Sequence, residues 1–228
     1  ELSKNLTNPN KNTRFQPSRV FFICFMFFCI LKNEFKIIHY KIGKNDLFVI
    51  NSGIGEISAA ISTQFIIDMY NIDLIINYGV VGSLRNNLNV GKCVLVKSVV
   101  HYDFDLSKID NVPIGYYKKY KTSFLPLNNE KFDDIFKDLN LLEVICVSGD
   151  KFISDSNIKE ELAKEFNADI CEMELAGIVL TCLHNNVDVI SIKAISDSKY
   201  GSAEEYNAFA KSSSEFAFKI VKKIIERI

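Results

Sequence analysis

Residues 172–197 read EMELAGIVLTCLHNNVDVISIKAISD, an apolar segment of helical length followed by one that is typical of a buried strand. We expect a helix over residues 174–186 and the next strand of a parallel sheet over residues 187–196. The helix would begin at the carboxyl edge of the sheet, and the strand would return to that edge. Glu174 and Asp197 should therefore meet where open α/β sheets bind their ligands.

The composition is that of a globular protein with one domain. Of the 228 residues, 48% are hydrophobic, which is enough for a buried core. A formal net charge of −1 gives no reason to expect nucleic acid or a membrane surface as a partner. The six cysteines contain no Cys-x-x-Cys pair, and the three histidines lack metal-ligand spacing. We expect free cysteines, a cytoplasmic location, and no metal or cofactor.

The first 34 residues differ from the rest of the chain. Residues 1–19 are polar and rich in Asn and Lys, so we expect them to lack order unless they dock. The apolar run at residues 20–31 is shorter than the roughly 20 residues that a membrane-spanning helix needs. We interpret it as a buried strand, or a strand that runs into an irregular segment, rather than a signal-peptide core. The predicted division is a divergent, partly disordered segment at 1–34 and a domain at 35–228.

From residue 35 onward, strand patterns alternate with helix patterns. The predicted strands are a hairpin of residues 35–42 and 46–51 around a turn at 43–45, followed by residues 74–77, 93–100 and 144–147. A first helix is predicted after Gly55, where apolar residues recur at helical spacing: Ile57, Ala60, Ile61, Phe65 and Met69. A second helix is predicted at 158–166. A third is predicted at about 203–227, and its apolar face consists of Phe209, Phe216, Ile220 and Ile224. This alternation predicts an α/β fold on a mixed or mainly parallel sheet.

Two glycine-rich segments each follow a predicted strand. Ser52-Gly53-Ile54-Gly55 leads into a helix, where backbone N–H groups can approach a ligand. Gly79-Val80-Val81-Gly82 reads as a second turn at the same sheet edge. A plain tight turn is the alternative for each segment, but two of them at one edge favour a pocket.

The acidic residues divide into candidates for chemistry and candidates for structure. Glu172 and Glu174 would point roughly 200° apart on a helix, so we expect only one to face a pocket. Met173 between them would contact a flat ring or pack in the core. Asp197 would cap a loop, or act as an acid above a leaving group. We interpret Asp155 as a helix cap and favour structural roles for Asp103 and Asp105.

Five segments occur in an order that resembles 5'-methylthioadenosine/S-adenosylhomocysteine nucleosidases, which belong to the purine nucleoside phosphorylase superfamily. They are SGIG at 52–55, NYGVVGSL at 77–84, SGDKFI at 148–153, EME at 172–174 and AISD at 194–197. The resemblance covers about residues 35–228. It implies a single α/β domain with a twisted central mixed β-sheet flanked by helices, in a homodimer without a cofactor.

The resemblance also implies an activity and a set of site residues. The reaction is hydrolysis of the N-glycosidic bond between adenine and a 5'-substituted ribose, as in methionine salvage. Asp197 would protonate the purine at N7, and Glu174 would accept hydrogen bonds from the ribose hydroxyls. The remaining substrate-binding residues would be Met173 on the sugar, Phe152 stacked on the base, the backbone near Ile153, and Ser196, Ile54 and Val80.

The chain departs from the family pattern at three places. The family carries its water-activating Glu in a Gly-Ala-Met-x-x-Glu segment. Residues 23–26 are the nearest equivalent, which puts Cys29 at the position of that Glu; alternatively, Glu1 is the remnant of the segment and residues 9–19 are an insertion. Val80 stands where some members have a serine, and Lys193 replaces an arginine.

Two other functions remain open beside hydrolysis. A nucleoside phosphorylase would need basic residues that converge on a phosphate, and Arg85 and Lys193 are the candidates. A homologue that binds nucleosides without turnover is the third possibility, because the loss of a general base costs orders of magnitude in rate.

Overall fold

The computed structural model of the protein describes residues 19–24 and 37–228. The strands in these ranges are β1 (Arg19–Cys24), β2 (Ile38–Ile42), β3 (Asn45–Asn51), β4 (Leu74–Ser83), β5 (Cys93–His101), β6 (Leu125–Pro126), β7 (Leu142–Ser148), β8 (Ile170–Glu172) and β9 (Asp188–Asp197). The α-helices are α1 (Glu56–Tyr70), α2 (Ser107–Asp110), α3 (Asp133–Phe136), α4 (Ser156–Glu165), α5 (Leu175–Asn185) and α6 (Ala203–Ile225).

All the described strands belong to one mixed sheet, as the sequence predicts. β1 lies between β3 and β4 and is parallel to both, while β2 and β3 form the expected antiparallel hairpin. Strands β4, β9, β5, β7 and β8 pair in that order, and β8 pairs again with β4. This half of the sheet therefore closes on itself as a small barrel with parallel and antiparallel pairs.

The predicted helix–strand unit is present. α5 and β9 begin and end within two residues of the expected bounds, and β9 runs parallel to β4. Asn186 ends the helix in the left-handed conformation, with its N–H donating to the carbonyl of Cys182. Asn tolerates this conformation better than most residues, so the turn into β9 is encoded locally.

Helices cover the sheet on several sides. α1 packs against α5, and both contribute to one apolar cluster, with Ala59 and Ile66 from α1 and Ile178 and Val179 from α5. α6 packs on β4 and β9 through a second cluster that contains Ala217, Val221 and Ile224. α4 contributes Leu162 and Ala163 to a third cluster.

The helix predicted after Gly55 is present as α1, but its large apolar side chains do not face the core. Ile57 is 71% exposed, and Ile61, Phe65 and Met69 are exposed as well. The buried side instead carries small and polar residues, because Ser62 and Thr63 satisfy their hydroxyls by donating to the carbonyl of Ala59 at 3.0 and 2.7 Å. α6 differs in a similar way, since Phe209 and Phe216 are exposed while Ile224 is buried.

The segment Gly79-Val80-Val81-Gly82 is not a turn, contrary to the prediction. It lies inside β4, which continues to Ser83 because β9 pairs with it as far as Gly82 and Asp197. The register shifts between Val81 and Gly82, which indicates a bulge. Bulges re-aim side chains and often occur beside active sites.

The N-terminal predictions are tested only in part. β1 supplies the strand expected within the apolar run, whereas the rest of that run and the expected disorder of residues 1–18 lie outside the described residues. Glu1 and Cys29, the two alternatives for the water-activating position, also lie outside them. The division at residues 34 and 35 stays a prediction. Among the described helices, none is long and apolar enough to cross a membrane.

Candidate active site

A cavity of about 310 Å³ opens at one end of the barrel. Its walls come from the β3–α1 loop, the end of β4, the β7–α4 loop, the β8–α5 junction, the end of β9 and the start of α6. The lining residues are Ile54, Gly79, Val80, Val81, Gly82, Phe152, Cys171, Glu172, Met173, Glu174, Lys193, Ser196, Asp197 and Tyr206.

Most of the predicted site residues line this cavity. Glu174 and Asp197 do so together, as expected from the α5–β9 unit, and Ile54, Val80, Phe152, Met173 and Ser196 surround them. Ile153 is not among the lining residues, and its side chain is buried in the cluster beneath α4. The roles that the resemblance implies for these residues stay predictions.

Glu172 and Glu174 both face the cavity, so the expectation that only one would do so was wrong. The reason is that they do not share a helix: Glu172 ends β8 and Glu174 precedes the first residue of α5. The Glu172 carboxylate accepts hydrogen bonds from the backbone N–H groups of Glu174 at 3.2 Å and Leu175 at 3.0 Å, and it therefore caps α5. It also forms an ion pair with the ammonium of Lys193 at 3.0 Å.

Glu174 is a buried carboxyl with a raised proton affinity. Burial and the nearby charge of Glu172 raise its pKa to about 7, although Lys193 and a hydrogen bond from the N–H of Gly55, at 3.1 Å, act in the opposite direction. Lys193 is itself buried. Burial acts to lower the Lys193 pKa, but the charges of Glu172 and Glu174 outweigh it and raise the pKa above its ordinary value.

Glu56, the first residue of α1, is a further buried carboxyl that the sequence analysis missed. Its side chain accepts hydrogen bonds from the Ser148 hydroxyl and the Gly177 N–H. Burial, and then the charge of Glu172, raises its pKa to about 8. An acidic residue in the first turn of a helix is ordinarily explained by the helix dipole, so nothing local indicated its burial.

Asp197 is paired with a lysine that the sequence analysis also missed. The Nζ atom of Lys159 lies 2.6 Å from Oδ2 of Asp197 and donates to the carbonyl of Ser198 at 2.8 Å. The hydroxyl of Ser196 lies 2.9 Å from Oδ1 of Asp197. Lys159 is fully buried, although four charged residues follow it in α4, which reads as a solvated helix.

Apolar side chains face these carboxyl groups. Phe152 is half exposed at the cavity and meets the ring of Tyr206 edge to face, with 5.1 Å between ring centroids. Met173 lies between the two glutamates of the β8–α5 junction. Such a cavity has the chemistry for a flat, nitrogen-rich ring next to a polyhydroxylated group.

The other acidic residues hold loops and helix ends. Asp155 caps α4 by accepting from the N–H groups of Asn157 and Ile158, as predicted. Asp103 accepts from the N–H of Asp150, and Asp105 accepts from that of Ser107, which agrees with the structural roles favoured for them. Among the described residues, no group of His, Cys, Asp and Glu side chains is arranged to hold a metal ion.

Arg85 lies outside the cavity. Its guanidinium donates to Asp169 at 3.1 Å and to Asn167 at 2.9 Å, and it lines a separate surface groove. The two cations expected to converge on a phosphate are therefore apart, and Lys193 is already paired with Glu172.

Comparisons with known proteins agree with this geometry. The family model described as "Phosphorylase superfamily" matches residues 6–226. A 5'-methylthioadenosine/S-adenosylhomocysteine nucleosidase of Buchnera aphidicola subsp. Acyrthosiphon pisum is 35% identical over 75% of this chain and 75% of its own length. The corresponding nucleosidase of Staphylococcus aureus is 30% identical over 87% of this chain and 94% of its own length.

Solved structures show the same fold. A Helicobacter pylori 5'-methylthioadenosine/S-adenosylhomocysteine nucleosidase with butyl-thio-DADMe-Immucillin-A is 21% identical, covers 92% of this chain and 99% of its own, and has a TM-score of 0.83. The futalosine hydrolase of the same organism is 22% identical, covers 92% and 98%, and has a TM-score of 0.82. With the sequence relatives, these findings show that the chain belongs to the phosphorylase superfamily and, within it, to the 5'-methylthioadenosine/S-adenosylhomocysteine nucleosidases.

Proposed function

We propose that this protein is an N-glycosidase that hydrolyses 5'-methylthioadenosine and S-adenosylhomocysteine to adenine and a 5-thioribose, a step of methionine salvage. The observation that carries the proposal is that Glu174, Asp197, Phe152 and Met173 all line the same cavity. Its volume, about 310 Å³, lies within the roughly 300–1,000 Å³ of small-molecule sites.

Asp197 is the acid on the purine side. Cleavage of an N-glycosidic bond needs a leaving group that does not depart as an anion, so a proton must reach the purine as the bond breaks. Asp197 is 2% exposed and has the Ser196 hydroxyl and the Lys159 ammonium beside it, which fixes its orientation. Phe152 offers a ring face to the base, and the backbone near Ile153 is the proposed partner of its polar edge.

Glu174 is the clamp on the sugar side. In its ionised form it accepts hydrogen bonds from the ribose hydroxyls and stabilises the positive charge that develops at C1', as carboxylates do in other glycoside cleavages. Its pKa of about 7 means that a substantial fraction is ionised at neutral pH. Met173, Ile54 and Val80 complete the walls around the sugar.

Hydrolysis is favoured over phosphorolysis by the charges of the cavity. Glu172, Glu174 and Asp197 all line it, whereas its one lining cation in the described part of the chain, Lys193, is neutralised by Glu172. A phosphate dianion would meet net repulsion there. The proposed water-activating group is Cys29 or Glu1, the two positions that the family pattern offers.

The relatives support the adenosine substrates. Two curated relatives at 30% and 35% identity are nucleosidases of 5'-methylthioadenosine and S-adenosylhomocysteine. A futalosine hydrolase shares the fold, so the fold alone does not select the 5'-substituent.

The same proposal includes a homodimer located in the cytoplasm. The exposed apolar face of α1, with Ile57, Ile61, Phe65 and Met69, supports pairing of two copies, because large apolar patches on a surface indicate an interface. The free cysteines of the described residues, Cys93, Cys146, Cys171 and Cys182, support a reducing compartment.

Adenine release tests the proposal. The protein is incubated with 5'-methylthioadenosine with and without phosphate, and Asp197→Asn serves as the comparison. Release that does not depend on phosphate supports hydrolysis, whereas strict phosphate dependence would show a phosphorylase. Binding without turnover would show a nucleoside-binding homologue, and full activity in Asp197→Asn would remove Asp197 from its role.

A further inference from the structure

Lys159 is a residue of the site to which the proposed function gives only an orienting contact with Asp197. Its side chain is fully buried, whereas Glu160 and Lys164 on the same helix are exposed. Lysine is almost never fully buried unless it is paired, because the desolvation of an ammonium is costly. Its partner is the carboxyl group to which the proposed function assigns proton transfer, at 2.6 Å.

We propose that Lys159 is a positioning residue that holds, jointly with Asp197, the proton that the purine receives. The inference rests on the proposed function. An aspartate alone in water is ionised at neutral pH and has no proton to give, whereas an alkyl ammonium keeps its proton to about pH 10. The hydrogen bond between Nζ of Lys159 and Oδ2 of Asp197 therefore contains a proton that the pair can pass on.

When the bond between C1' and N9 breaks, its electron pair goes to the purine. The shared proton passes through the Asp197 carboxyl to N7, so adenine leaves neutral. The pair is left as a lysine amine beside a carboxylate, and a proton from solvent restores the ammonium. The oxygen of a water molecule bonds to C1' and leaves a hydroxyl group there, and the other proton of that water goes to the water-activating group.

Among the groups around the pair, Glu174 has a pKa of about 7, on the acid side of the alkaline limb. From β8, Cys171 has a pKa raised to about 12, chiefly by burial. From α6, burial raises the pKa of Tyr206 to about 12 as well, and Glu205 accepts from the N–H of Ser198 at 2.7 Å. The remaining acids are Glu172 and Glu174 at the β8–α5 junction. The charge of Glu172 helps to raise the pKa of the Cys171 thiol, and the charge of Glu174 helps to raise the pKa of Tyr206.

The test compares Lys159→Gln and Lys159→Arg with Lys164→Gln, a matched control at an exposed lysine of α4. The kcat and KM for adenine release from 5'-methylthioadenosine are measured from pH 5 to 10. We expect Lys159→Gln to lower kcat by roughly 10- to 100-fold, part of the 10²–10⁴-fold that acid catalysis supplies, with little change in KM. The alkaline limb of its pH profile should move to lower pH, because the variant lacks the ammonium that supplies the proton at high pH.

Three outcomes of these kinetics would overturn the inference. If Lys159 acts only through its positive charge, Lys159→Gln removes a cation that favours the ionised carboxylate, so the alkaline limb would move to higher pH. If Lys159 has only a structural role, the alkaline limb of Lys159→Gln would stay in place. Lys159→Arg keeps the charge but cannot release its proton, so it should fold and still lose kcat. Full activity in Lys159→Arg would therefore also contradict the inference, and Lys164→Gln should match the unsubstituted protein.

A measurement on the unsubstituted protein covers the case in which Lys159→Gln does not fold. The side-chain ¹⁵N resonance of Lys159, assigned by its absence in Lys159→Arg, should shift when adenine binds. No shift at saturating adenine would overturn the inference. If the unsubstituted protein binds adenine but releases none from the substrate, the proposed function fails, and this titration still decides the role of Lys159.

Discussion

Glu56→Gln should change how the stability of the protein depends on pH. The buried Glu56 carboxyl contacts the Ser148 hydroxyl and the Gly177 N–H, and its pKa is raised from 4.5 to about 8. Glutamine has the shape of the protonated side chain and cannot ionise. The substitution therefore removes one titration and keeps the contacts between α1, β7 and α5.

The sign and size follow from proton linkage. Between pH 4.5 and about 8 the native state holds a proton on Glu56 that the unfolded state has lost, so the free energy of unfolding falls as pH rises. Each pH unit inside that window is worth about 1.4 kcal/mol, which gives about 2.7 kcal/mol between pH 5.5 and 7.5. Glu174, with a pKa of about 7, adds a fall of the same sign that Glu56→Gln leaves in place.

Urea denaturation followed by far-ultraviolet circular dichroism, at one protein concentration and several pH values, measures the effect. We expect the loss of stability between pH 5.5 and 7.5 to be smaller in Glu56→Gln than in the unsubstituted protein by about 2 to 3 kcal/mol. Glu165→Gln, at the exposed end of α4, is the control and should leave the slope unchanged. Equal slopes in Glu56→Gln and the unsubstituted protein would refute the assignment of a protonated Glu56.

Three further substitutions probe other contacts. Lys193→Met leaves Glu172 buried without its cation, so the free energy of unfolding, measured by urea denaturation, should fall by about 3 to 5 kcal/mol. A fall of less than about 1 kcal/mol would contradict the ion pair between Lys193 and Glu172. Ile61→Lys puts a charge on the exposed face of α1 and should yield monomers in sedimentation velocity; an unchanged dimer would show that another face pairs. Gly177→Ala places a Cβ against the backbone carbonyl of Glu56, so α1 must shift, and calorimetry should show a Tm lower by about 2 to 12 °C; an unchanged Tm would mean that α1 moves freely.

Features that depend on residues close together in the chain could be predicted. The α5–β9 unit follows from two apolar runs of different length with Asn186 between them, and the cap of α4 follows from Asp155 before the helix. These features in turn brought Glu174 and Asp197 to one cavity, because the topology of a helix followed by a parallel strand leaves little choice.

Features that depend on distant partners could not be predicted. Lys159 can be buried because Asp197 and Ser198, 38 and 39 residues away, accept its hydrogen bonds, whereas its own helix reads as solvated. Glu56 is buried because Ser148 and Gly177 supply donors from other elements. The glycines of β4 read as a turn until β9 is seen to pair with them. The apolar spacing in α1 predicts the helix correctly but not its exposure, because periodicity shows which residues share a face and not what covers that face.

Phosphate-free release of adenine from 5'-methylthioadenosine tests the central claim most directly. The unsubstituted protein should release adenine at a rate that added phosphate does not change, and Asp197→Asn should reduce that rate by about 10²- to 10⁴-fold while its circular dichroism stays the same. An absence of adenine without phosphate, or an equal rate in Asp197→Asn, would contradict the assignment of this cavity as a nucleosidase site with Asp197 as its acid.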